Sequence, residues 1–228
     1  MLTLGRKNYR IEIVVARHCS TILNEEGKFQ GTSFDFPLTE KGQAEAQSLK
    51  KTFDKLGYRF DAVIASDTKR AKQTAEILVG DTCNKLIVDK RINPFDLGDA
   101  DAKKEEELFT VCRFPILAKN KESLCKYLRR IREFLRDVFS TYNGKSVLVV
   151  THEDICGVID SYISNYFILK APKNGLKNGH ARVYHVWEQN VEREKDKKRD
   201  FYPQYFHFRG PNTNNLFKSD ISPEKREK

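Results

Sequence analysis

The 228-residue chain reads as an α/β protein of three layers, α/β/α, around a mostly parallel central sheet. Three observations carry that reading. Apolar β-branched runs alternate with amphipathic helical stretches, the pattern of a sheet covered on both faces. Three of those runs end in polar residues that can do chemistry: Arg17-His18, Ser66-Asp67 and Thr151-His152. The length is enough for one domain with a sizeable core, and nothing in its middle resembles a linker.

Ile11 to Ala16 is the first buried strand. A polar loop with Thr21, Asn24, Gly27, Lys28, Gln30 and Gly31 follows it. Thr39 is a good N-cap for a helix with Ala44, Leu49, Phe53 and Leu56 at helical spacing, which Gly57 ends. Asp61 to Ala65 is a short strand, Ser66-Asp67 a turn, and Thr68 to about Leu78 a second helix. Leu86 to Val88 is a third strand. From Arg91 to Asn120 the periodicity fades around Pro94, Gly98 and Pro115, as expected of loops and short helices forming a lid. Ser123 to Phe139 is strongly amphipathic, with Leu124, Leu128, Ile131, Leu135 and Phe139 on one face. Asn143-Gly144 is a turn, and Ser146 to Val150 is the most strand-like run of the chain. A helix from Ile155 to about Phe167 and a last strand, Arg182 to Trp187, complete a domain over residues 1–190. Residues 191–228 are charge-dense, then aromatic, then polar. They are expected to form a tail, partly packed back by its aromatics and partly disordered.

A net charge of +9 and a pI near 9.2 fit an anionic partner, or simply solvated lysines. Five cysteines without a CxxC pair, an odd count, point to a reducing compartment. The N-terminus lacks the apolar core of a secretory signal. No apolar run approaches the ~18 residues that span a bilayer. A cytoplasmic protein without a membrane partner is the expectation.

Right-handed crossovers would bring the ends of the strands carrying His18, Ser66 and His152 to one sheet edge, where open α/β sheets bind ligands. Arg17, Arg70, His18, His152 and several neutral donors would then surround one anion. Arginine forks match phosphate oxygens, and a neutral imidazole is a nucleophile near pH 7.

The chain here resembles the histidine phosphatase superfamily, with its phosphoglycerate mutase-like fold. The family pattern R-H-G-E-T, Asn, Q-G, D-x-P-L-T-x-x-G is met by Arg17-His18-Cys19-Ser20-Thr21, Asn24, Gln30-Gly31 and Asp35 to Gly42. Its S-x-x-x-R-A-x-x-T-A is met by Ser66 to Ala75, and its strand ending in histidine by Val147 to His152. The resemblance spans roughly residues 10–187. It implies a phosphomonoester phosphatase in which His18 Nε2 accepts the phosphoryl group and water hydrolyses the phosphohistidine. Arg17, Arg70 and His152 would bind the phosphoryl oxygens, and Asn24 with Gln30-Gly31 would complete the cradle. The alternatives are phosphoryl transfer of the phosphoglycerate mutase type, or a degenerate member that binds phosphorylated ligands or a partner.

The chain departs from the pattern in three places. Cys19 replaces a glycine. A thiol phosphatase loop needs an arginine six residues after its cysteine and position 25 is Glu25, so Cys19 reads as a small buried side chain. Ser20 replaces a glutamate. Pro94 stands where the family's general acid is expected, leaving Glu153, Asp96, Asp154 or no acid at all. A missing acid typically costs 10²–10⁴-fold in rate, which would make the enzyme slow.

No metal or other cofactor is expected. The acidic stretch of Asp99, Asp101 and Glu105 to Glu107 reads as a solvated lid face. The Lys126, Arg129, Arg130, Arg132, Arg136 stripe reads as a wet helix face. The expected partner is a phosphorylated small molecule or phosphoprotein. The basic run near residue 195, with aromatics behind it, leaves a weak case for nucleic acid.

Overall fold

The computed structural model describes residues 9–80, 86–104, 110–111, 114–115, 118–164, 175–187 and 216–222. It is built on a six-stranded sheet. The strands are β1 (Tyr9–Arg17), β2 (Ala62–Ala65), β3 (Leu86–Val88), β6 (Ser146–Thr151), β7 (Ala181–Trp187) and β8 (Leu216–Ile221). Their order is β3-β2-β6-β1-β7-β8. β1, β2, β3 and β6 run parallel, while β7 and β8 are antiparallel to their neighbours. β4 (Thr110–Val111) and β5 (Phe114–Pro115) form a separate small hairpin within the lid region.

Alternation along β1 separates two cores. Ile11, Ile13 and Val15 face one layer, with Val147 and Val149, and pack on α4 (Leu124–Thr141) and α5 (Glu153–Ile163). Val14 and Ala16 face the other, with Leu148 and Val150, and pack on α2 (Glu40–Leu56) and α3 (Lys69–Val79). A sheet buried on both faces explains why the central strands are near-continuous apolar runs rather than alternating ones.

The caps expected of α2 are in place, while the start of α3 is capped by a residue from outside the expected Ser66-Asp67 turn. Thr39 Oγ1 accepts from Gly42 N at 3.1 Å to start α2. Gly57 ends it in the left-handed conformation, φ 73°, where a Cβ would be strained. The carboxylate of Asp35 accepts from Lys69 N at 2.9 Å through both oxygens at the start of α3.

Several elements differ from the sequence expectation. The loop after β1 contains a short helix, α1 (Ile22–Glu25). Two 3₁₀ turns, Lys90–Ile92 and Gly98–Ala100, punctuate the lid region. α5 starts at Glu153, two residues earlier than expected, with His152 as its N-cap. Arg182–Trp187 is not the last strand: Leu216–Ile221 returns along the free edge of β7. Arg182 anchors it through ion pairs to Asp220 and to the buried Asp160. Glu105 to Glu107 and the tail aromatics lie outside the described residues. No helix among the described residues is long and apolar enough to cross a membrane.

Candidate active site

The parallel register sets the site. Arg17 pairs with Thr151 and Ala16 with Val150, while Ala65 pairs with Val150 on the other side. β1, β6 and β2 therefore end at one level. Beyond the ladders, His18 N donates to Thr151 O at 2.8 Å and Ser66 N to Val150 O at 3.0 Å. The residues that follow β1 and β2 are thus tied to β6 by backbone hydrogen bonds.

His18 and His152 meet there, with ring centroids 5.1 Å apart. Both are almost fully buried. His18 Nδ1 lies 2.8 Å from Cys19 O. A carbonyl can only accept, so Nδ1 carries the proton and Nε2 the lone pair. The His18 pKa lies well below its ordinary value, through burial first and then the Arg70 and Arg17 cations. That of His152 is lowered by burial, Arg70, His18 and Arg17. Both rings are therefore neutral near pH 7, and His18 is poised as a nucleophile.

The rings open onto a cleft of about 380 Å³ that Arg17, Asn24, Gln30, Glu153 and Asn178 also line. Lys28 and Phe29 form one wall, and Pro94, Phe95 and Leu97 another. Arg17 Nη1 donates to Leu176 O at 3.0 Å and pairs with Glu153 Oε2 at 2.5 Å. Glu153 is the first residue of α5, so its carboxylate also faces the positive end of that helix. It lies against Gly175, where a Cβ would stand 2.4 Å from Glu153 Oε1.

Asn24 and Gln30 line the cleft through a loop knotted at Thr21. Thr21 Oγ1 lies 3.0 Å from Asn24 Oδ1 and 2.7 Å from Gln30 Oε1. Asn24 Oδ1 also accepts from Thr21 N and from Asn178 Nδ2, each at 3.2 Å, and Gln30 Nε2 donates to Phe34 O at 3.2 Å. Gly42, in the first turn of α2, packs on the backbone of this loop so closely that a Cβ would fall 2.1 Å from Ser20 O. The substituted Ser20 is held by Glu45, which accepts from its N at 2.9 Å and its Oγ at 2.8 Å.

Three expected site residues stand elsewhere. Arg70 does not line the cleft; it is fully buried behind His152. Its Nη2 donates to Gly31 O at 3.0 Å and approaches His152 Nδ1 at 3.4 Å, while its Nε is buried without a hydrogen-bond partner. Burial lowers its pKa to about 10 against the pull of Asp35, Asp101 and Asp154, which leaves it cationic. Gly31 is likewise turned from the cleft, its N donating to Asp101 Oδ1 at 2.6 Å. Asp96 also lies outside the lining; its Oδ1 caps Gly98 N at 3.1 Å. The loop that follows Pro94 presents apolar Phe95 and Leu97 inward instead. Asp154 lines the cleft, but its Oδ2 accepts from Phe95 N at 2.8 Å and Tyr127 Oη at 2.9 Å.

Cys19 is fully buried. Its thiol pKa is raised to about 12, by desolvation and then the Glu45 charge, the opposite of a reactive thiolate. Asp101 is no part of a wet acidic face: it is buried and accepts from Gly31 N and Ser33 N. Among the described residues no cluster of His, Cys, Asp or Glu is arranged to hold a metal ion.

Two residues near the site were not anticipated. Asn178 lines the cleft, and its Nδ2 donates to His18 O at 3.0 Å. Asn93, beside the Pro94 that breaks the pattern, accepts from Ser66 Oγ at 2.8 Å. Neither sits in a local pattern that marks it. A lone asparagine in a loop acquires a partner only when the chain folds.

A family model described as the histidine phosphatase superfamily, branch 1, matches residues 13–195. The chain is 29% identical over 164 residues to a protein of Erwinia tasmaniensis named "Probable phosphoglycerate mutase GpmB", covering 67% of this chain and 74% of that one. The fold is similar to that of Bacillus stearothermophilus YhfR, with a TM-score of 0.68 at 24% identity over 80% of this chain and 96% of that one. It is also similar to a phosphoserine phosphatase of Entamoeba histolytica solved with phosphoserine, with a TM-score of 0.66 at 18% identity over 76% and 90% of the two chains.

Proposed function

The chain belongs to the histidine phosphatase superfamily, and from that premise we propose that it hydrolyses phosphomonoesters through a phosphohistidine at His18. The observation that carries the reading is the neutral His18, its Nδ1 tied to Cys19 O, 5.1 Å from His152 beneath an open cleft.

A phosphoryl dianion enters the cleft against Arg17, with Asn24 and His152 beside it. Arg70 acts from behind as a buried cation rather than as a direct ligand, raising the local potential. His18 Nε2 attacks phosphorus in line. The N–P bond forms, the P–O bond to the leaving group breaks, and the departing oxygen takes a proton. Glu153 is the group that supplies it. Arg17 Nη1 pairs with Glu153 Oε2 at 2.5 Å. A dianion that engages Arg17 competes with Glu153 for the guanidinium, which frees the carboxyl to act as the acid. In the second half water attacks phosphorus, Glu153 takes its proton, and the N–P bond breaks to release inorganic phosphate and restore His18.

Pro94, at the family's acid position, favours a second reading: a member that binds phosphorylated ligands and turns them over slowly or not at all. Hydrolysis of an aryl phosphate by the wild type and by His18→Ala separates the two. The phosphatase reading expects turnover, an acid-labile phosphoprotein, and loss of both in the variant. Equal rates would overturn the nucleophile. Tight phosphate binding without turnover would establish the binder.

A further inference from the structure

Ser66 and Asn93 form a relay that ends on His152. Asp67 N donates to Asn93 Oδ1 at 2.9 Å, and Ser66 Oγ lies 2.8 Å from that same oxygen. A backbone N–H can only donate, so the atom facing both groups is the amide oxygen of Asn93. Ser66 has one proton and gives it to Asn93, which leaves its oxygen as an acceptor. His152 Nε2, 2.8 Å from Ser66 Oγ, must then carry a hydrogen. The His152 lone pair is left on Nδ1, which faces Arg70 Nη2 at 3.4 Å.

The loop bearing Asn93 is pinned in turn by Arg130. Its Nη1 donates to Arg91 O at 2.5 Å and Asn93 O at 2.7 Å, and its Nη2 to Pro94 O at 3.0 Å. Its remaining donors hold Glu122, at 3.0 Å from Nε and 2.9 Å from Nη2. All five guanidinium donors are engaged. This residue of the polar helical stripe is a clamp on the loop rather than part of a wet face.

We infer that Asn93 is a positioning residue that fixes, through Ser66, which nitrogen of His152 carries the proton. A buried histidine with the wrong tautomer turns a donor where an acceptor is needed, so such a device governs chemistry rather than affinity. Its effect on turnover rests on the phosphatase reading; its effect on the tautomer does not.

The test is long-range ¹H–¹⁵N correlation of His152 in ¹⁵N-labelled protein, together with aryl phosphate kinetics. The variants are Asn93→Ala, Asn93→Asp, Ser66→Ala and the double Asn93→Ala/Ser66→Ala. The wild type is expected as the Nε2–H tautomer, and Asn93→Ala as a mixture with kcat down roughly 10- to 100-fold and KM little changed. Asn93→Asp retains the acceptor, so it restores the tautomer and most of kcat. The double variant is expected to be no slower than Ser66→Ala alone, because both changes cut one chain. An unaltered His152 tautomer in folded Asn93→Ala overturns the inference, as do losses that multiply in the double variant. A wild type without turnover would remove the phosphatase reading and leave the tautomer measurement to decide this one.

Discussion

His18 and His152 face each other at 5.1 Å with their rings inclined by 57°, two buried imidazoles flanked by two guanidinium groups. Each has a folded-state pKa well below its ordinary 6.5, by burial first and cations second. The unfolded chain therefore takes up protons near pH 6.5 that the folded chain refuses. Stability is fully present above that pH and falls as the pH drops from 6.5 toward the folded values, by up to ~3 kcal/mol per pH unit for two such groups. The melting temperature is expected to be flat from pH 8 to 7 and to fall between pH 6.5 and 5.5. His18→Gln should lessen that slope. A melting temperature unchanged over the acid window would contradict the burial of neutral rings.

The proton donor is tested by leaving-group dependence. Glu153→Gln should lose 10²–10⁴-fold in kcat on an alkyl phosphate, the usual worth of a general acid. On p-nitrophenyl phosphate the burst of p-nitrophenol, which reports the first step alone, should slow far less, since that leaving group departs without a proton. Equal losses in that first step on both substrates would mean that Glu153 does not protonate the leaving group.

Gly175 offers a test of the same carboxylate from the other side. A methyl group there would meet Glu153 Oε1 at 2.4 Å and Cγ at 2.7 Å, so the side chain must leave its place beside Arg17. Gly175→Ala should reproduce the kinetic defect of Glu153→Gln while changing the melting temperature little, because the displaced group is the end of a flexible side chain. Wild-type kinetics in this variant would show that the location of Glu153 is unimportant.

Gly42 behaves differently, because its neighbour is backbone. The Cβ of Gly42→Ala would lie 2.1 Å from Ser20 O, and neither α2 nor the loop after His18 can yield cheaply. Such overpacking typically costs 1–3 kcal/mol or more. Urea denaturation should show the loss, with aryl phosphate turnover falling alongside it.

Cys19→Ala should retain activity within a few-fold. The buried thiol, with its pKa raised to about 12, should resist alkylation in the native protein while the exposed Cys125 reacts. Inactivation by iodoacetamide that tracked modification of Cys19 would overturn this.

Much of this site was legible in one dimension because its principal groups sit at strand ends. A run of apolar residues that stops at Arg17-His18, or at Thr151-His152, announces both the strand and the place where it releases its functional group. The same logic located Ser66. What escaped was set by tertiary convergence. Arg70 lies in a motif that suggests direct contact with an anion, but the start of α3 is buried under the Gln30-Gly31 backbone, which takes its donors. Arg130 occupies the polar side of an amphipathic helix, and only the folded loop supplies the three carbonyls that accept from it. Glu153, Asp96 and Asp154 were all candidate acids in the sequence; the fold brings Glu153 and Asp154 to the cleft and leaves Asp96 out of its lining. β8 was missed because an edge strand with Lys218 and Asp220 in it has no apolar run to betray it.

The strand order has a consequence for how the molecule is made. β1 lies between β6 and β7, so this strand is flanked only by strands encoded more than a hundred residues later. At ordinary rates of synthesis that wait is on the order of ten seconds. Throughout it the apolar Ile11 to Ala16 ribbon has both edges open. The emerging chain is thus open to misassociation along this strand, and the cleft at its carboxyl end cannot form until β6 has been made.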